Sequence, residues 1–107
     1  MQRFKPDFIA EVTYLLPEHG GRHWPVHSGY KPMIKFAGDA GLTHAENVFT
    51  DRADLRAGES AEANITLDST DYFVNSLYEG QMFELYEPPR KVGSGIIKKI
   101  VAPDLAK

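Results

Sequence analysis

Apolar side chains recur at every second position through much of this chain, between clusters of glycine and proline. No other feature constrains the fold as strongly. A period of two sets alternate side chains on the two faces of a pleated strand. Phe8, Ala10, Val12, Tyr14 and Leu16 share one face, with Glu11 and Thr13 on the other. Ala61, Ala63, Ile65 and Leu67 alternate with Glu62, Asn64, Thr66 and Asp68. Ile34 and Phe36 alternate with Met33 and Lys35, and Phe83 and Leu85 with Met82, Glu84 and Tyr86. Residues 92–101 are rich in β-branched side chains but change phase at Ile96-Ile97, and Gly93 and Gly95 suit a bulge or sharp bend. No stretch of similar length has a helical period; VNSLYEG has room for one turn. Breakers fall at Pro17 with Gly20-Gly21, Pro25 to Pro32, Gly38 to Gly41, Ala57-Gly58, Gly80 and Pro88-Pro89. Five to seven short strands at this spacing predict an all-β sandwich or barrel with no helix longer than two turns. Val12, Tyr14, Phe36, Ile65, Phe83, Leu85 and Ile96 are the expected core.

A chain of 107 residues suits one domain over residues 1–107, with an ordered core of about 7–101 and loose tails at 1–6 and 102–107. There is no cysteine, which excludes disulfides and thiolate metal sites. No apolar run approaches the ~18–20 residues of a helical membrane span, and MQRFKPDF does not read as a signal peptide. The expectation is a soluble, cytoplasmic protein with no membrane partner.

Net charge is −3 but unevenly spread. Residues 19–38 carry +3 with no acid, residues 39–87 carry −9, and residues 88–107 carry +4. A basic footprint over the whole chain is absent, and DNA is not an expected partner. If the two basic stretches meet in the fold, they make a local basic face opposite an acidic one; the alternative is solvated charge with no such pattern.

Phosphate-loop, dinucleotide and nucleophile-elbow motifs are all missing, and no serine or acidic pair stands out as catalytic. His19, His23 and His27 recur every four residues, with His44 further on, but Gly20, Gly21 and Pro25 forbid the helix that would align them. A surface polar cluster is the reading for these histidines, a metal site the alternative. No catalytic residue, metal or cofactor is expected.

The densest chemistry lies in GGRHWPVHSGYKPMIKF, residues 20–36. Arg22, Lys31 and Lys35 offer cations, His23 a titratable ring, and Trp24 and Tyr30 flat surfaces for stacking. Cations interleaved with aromatics suit an RNA backbone or an acidic protein surface. The competing reading packs Trp24 and Tyr30 into the core or a turn.

At this segment the chain resembles the third, C-terminal domain of elongation factor Tu. That family has a Gly-Gly-Arg-His loop followed by a Gly-Tyr-Arg-Pro turn; here FIAEVTYLLPEHGGRHWPVHSGYKPMIKF carries the match. EGQMFELYEPPRKVGSGIIKKIV is similar to the family's closing hairpin, which has a Val-Gly-Ala-Gly run before its last strand. Residues 7–37 and 79–101 are covered well, and residues 38–78 only in their spacing. The chain departs from the pattern at Trp24, usually a small threonine, at Lys31 for arginine and at Met33 for glutamine. Pro88-Pro89 also replaces a Gly-Gly turn, and AGDAG a threonine-rich stretch.

The resemblance implies a compact, six-stranded antiparallel β-barrel. It also implies contact with the T-stem of transfer RNA through the loop matching Arg22 and His23, and with translation proteins. The family's GTPase domain and middle barrel have no counterpart in this sequence. The expectation is therefore a free-standing, non-catalytic relative with Arg22, His23, Trp24, Tyr30, Lys31 and Lys35 as its contact set. Its partner would be a structured, tRNA-like RNA or a translation-associated protein. The alternative is a protein-interaction, inhibitor or immunity-type module outside translation that uses the acidic segment 39–87. A metal-dependent enzyme built on the histidines is a third reading.

Overall fold

The computed structural model describes residues 5–19, 25–39 and 41–107. Eight strands form: β1 (Phe8–Tyr14), β2 (Val26–His27), β3 (Met33–Phe36), β4 (Leu42–Phe49), β5 (Asp54–Leu55), β6 (Ser60–Leu67), β7 (Met82–Glu87) and β8 (Arg90–Ile100). Six close into an antiparallel barrel in the order β1-β6-β4-β3-β7-β8, with β8 paired back to β1. Closure leaves the barrel no free edge. β2 and β5 form a separate two-stranded ribbon, and the helical content of the described residues is three short 3-10 turns. The all-β barrel expected from the alternation is the fold observed.

The inward rows are those the alternation marks on β1, β3, β6 and β7. Phe8, Ala10 and Val12 face Ile65, Ala63 and Ala61 across β1 and β6, all buried. Phe8, Phe36 and Phe83 meet edge to face, with ring centroids 5.8–5.9 Å apart, the arrangement aromatic quadrupoles favour. Phe73, from the segment between β6 and β7, closes one end against Phe36 at 5.1 Å. Tyr14, Tyr30 and Phe49 pack towards the other end, where Val26 and Leu55 of the ribbon join the core.

Three expectations need correction. Ile96 is not core: it faces outward, 37% exposed, and Ile97 is buried in its place. The cause is a pair of bulges in β8. Leu85 and Tyr86 pair with Gly93 and Lys91, leaving Val92 extra, and Ile9 and Ala10 pair with Lys99 and Ile97, leaving Lys98 extra. Each extra residue shifts the phase of the strand, so Gly93, Gly95 and Ile97 point inward.

Leu16 likewise lies beyond the end of β1 and is exposed beside Gly58. Residues 102–107 are not a loose tail. Leu105 is buried, Ala106 bridges Leu77, and the amide of Lys107 donates to the Leu77 carbonyl at 2.7 Å. Burying Leu105 and Leu77 against each other's segments gives the terminus the apolar contact that an isolated tail lacks.

Candidate binding surface

The two basic stretches do meet, with β7 between them. β3 and β8 flank this strand, so outward residues fall in rows across three strands: Lys35, Glu84 and Ser94; Met33, Tyr86 and Lys91; Met82 and Ile96. β7 brings acids into the basic face. The Lys91 ammonium lies 2.9 Å from Glu84, whose other carboxylate oxygen accepts the Tyr86 hydroxyl at 2.8 Å. Arg90 approaches Glu87 at 3.8 Å. The hydrogen bond from Lys91, then that from Tyr86, holds the Glu84 carboxyl below its usual range, and the bond to Glu84 raises the Tyr86 hydroxyl above its own.

The opposite wall has the other sign. β1, β4 and β6 contain no lysine or arginine, and Glu11 stands directly across from Glu62. Like charges opposed across a strand pair repel. The barrel is therefore electrostatically two-sided, although β7 tempers its basic side.

On that basic side lies an open depression of about 780 Å³. Lys35, Ala37, Met82, Glu84, Lys91 and Ser94 supply its outward lining. Met82 is 60% exposed, an unusual position for a large apolar side chain in mid-sheet, and its cross-strand neighbour Ile96 is also exposed. Phe83 cannot turn outward to share this surface, because its ring fills the barrel over Gly95.

The expected contact residues separate in the fold. Arg22, His23 and Trp24 lie outside the described residues. Tyr30 is half-buried: its ring packs 5.8 Å from that of Tyr14 and its hydroxyl donates to Glu87, which is the packing reading of this residue. Lys31 is exposed and paired with Asp68 at 3.0 Å. Lys35 alone of the set lines the depression, and among the described residues it makes no ion pair.

His27 is bonded to Asp54 across the ribbon, while Nδ1 of His44 meets the Lys31 carbonyl at 3.1 Å. Among the described residues, no three His, Asp or Glu side chains are grouped to hold a metal.

The sequence reading did not single out Met82, Glu84, Lys91 and Ser94 as contact residues. One signal was available: Met82 is a large apolar residue at a position the alternation assigns to the outer face. No protein-family model matches the chain.

Proposed function

We propose that the chain is a non-catalytic binding module, a relative of the C-terminal barrel of elongation factor Tu, that holds a protein partner on the outer face of β3, β7 and β8. The exposure of Met82 within the depression carries this reading. Burying such a side chain against a partner gains roughly 1.5–3 kcal/mol. The six-stranded antiparallel barrel agrees with the fold the resemblance implies.

A second reading keeps structured RNA as the partner, because Lys31, Lys35, Arg90 and Lys91 are outward cations on or beside β3 and β8. Three of them already face Asp68, Glu87 and Glu84. Phosphates would have to displace those carboxylates, and Tyr30 has its ring packed on Tyr14. A protein surface needs neither change. The link to translation and a cytoplasmic location belong to the RNA reading and to the resemblance.

Photo-crosslinking from position 82, with position 62 on the acidic wall as control, tests the proposal in cells that make the protein. A discrete protein adduct from position 82, absent from position 62 and competed by unlabelled protein, is expected. RNA adducts at position 82 would replace this reading with the second, and equal labelling from both positions would overturn the surface assignment.

A further inference from the structure

The charges lining the depression are not equally available to a partner. Glu84 is engaged by Lys91 and Tyr86. Asp39, at the rim, accepts the amide of Gly41 at 2.7 Å and so closes the turn between β3 and β4. Lys91 spends its charge on Glu84. Lys35 remains, outward on β3 beside Glu84 and without an ion pair among the described residues. The surface thus offers one uncommitted cation next to one exposed apolar side chain, with a Lys91–Glu84–Tyr86 wall fixed on the far side.

Resting on the protein-binding reading, we infer that the depression selects an acidic–apolar segment of the partner. An apolar side chain of that segment packs on Met82, and a neighbouring carboxylate pairs with Lys35. The closed barrel has no backbone edge here to which a strand could be added, so recognition runs through side chains. Charge sign supports the same orientation: an acidic segment is repelled by Glu11 and Glu62 on the opposite wall and directed to this one. Lys35 therefore sets specificity and Met82 anchors.

The test uses two capped synthetic peptides of equal length and identical apolar residues, one with glutamates and the other with lysines at the polar positions. Methionine-methyl NMR follows binding at Met82, with Met33 on the same sheet face as an internal comparison. The glutamate peptide should shift Met82 saturably, and more weakly as salt rises. Lys35→Gln should weaken binding by about tenfold, the loss of one charge-assisted contact. Lys35→Glu should reverse the preference towards the lysine peptide.

Equal shifts from both peptides, or a preference unchanged in Lys35→Glu, would overturn the inference. No Met82 shift with either peptide, alongside a protein adduct from position 82, would remove the acidic–apolar specificity and leave protein binding standing. Absence of both would remove the protein-binding reading as well. A Met82 shift that depends on protein concentration without peptide would make a second copy of this chain the occupant, against the inference.

Discussion

Phe83 occupies the space that a side chain on Gly95 would need: a Cβ there would stand 2.6 Å from Cε1 of the ring and 2.7 Å from the carbonyl oxygen of Glu11. The two residues are direct partners across β7 and β8, so the ring has no other inward position. Gly95→Ala should therefore destabilise the barrel by roughly 1–3 kcal/mol, the usual effect of overpacking. Urea unfolding measures it, and a loss below roughly 0.5 kcal/mol, the scale of neutral surface changes, would contradict the packing.

The bulges in β8 make a second prediction, on two isoleucines. Ile65 is fully buried, and Ile65→Ala should cost about 2–5 kcal/mol. Ile96→Ala, on the outer face, should change stability by less than roughly 0.5–1 kcal/mol. Equal losses in equilibrium unfolding would mean that β8 does not carry the extra residue at Val92.

Asn47 is fully buried, accepts the Tyr14 hydroxyl at 2.9 Å and donates to the Ala45 carbonyl at 2.8 Å. Removing that hydroxyl leaves a buried amide oxygen without its donor. Tyr14→Phe should cost about 1–3 kcal/mol although it keeps the ring. A variant as stable as the parent would show that the bond contributes nothing net.

The Glu84 carboxyl is held below the usual carboxylate range by Lys91 and Tyr86. A group lowered in the folded state adds stability that is fully present above its unfolded pKa and is lost as pH falls through its folded value. Glu84→Gln should therefore flatten the stability profile on the acid side, from about pH 5 downward, with little further pH dependence added near neutrality. Thermal melts across that range check the slope; parallel profiles for both proteins would contradict it.

Much of the barrel was legible because β1, β3, β6 and β7 alternate cleanly between apolar and polar residues. β4 was not, and its inward row explains why. Thr43, Ala45 and Asn47 face the core while Leu42 and Val48 face out, so hydropathy along this strand runs against its burial. Asn47 can sit inside because Tyr14 and Ala45 satisfy its amide. β2 and β5, two residues each, are too short to show any period.

The candidate surface was still less visible. Met82 and Lys35 are 47 positions apart in sequence, and β7 becomes the neighbour of β3 only through the strand order of the closed barrel. Sequence charge located the two basic stretches. The acids that β7 inserts between them decide which cation is left uncommitted.

The central claim is that Met82 is exposed for a partner and contributes little to the fold. Met82→Glu, compared with the parent protein for both unfolding free energy and partner capture, tests this most directly; for capture, both carry the photo-crosslinker at position 96, directly across β8 from Met82. The account predicts a stability change within roughly 0.5 kcal/mol, as for other surface substitutions, together with loss of the partner adduct. A loss of stability above about 2 kcal/mol, with the adduct retained by the protein that remains folded, would place Met82 in the packing of the barrel and contradict the account.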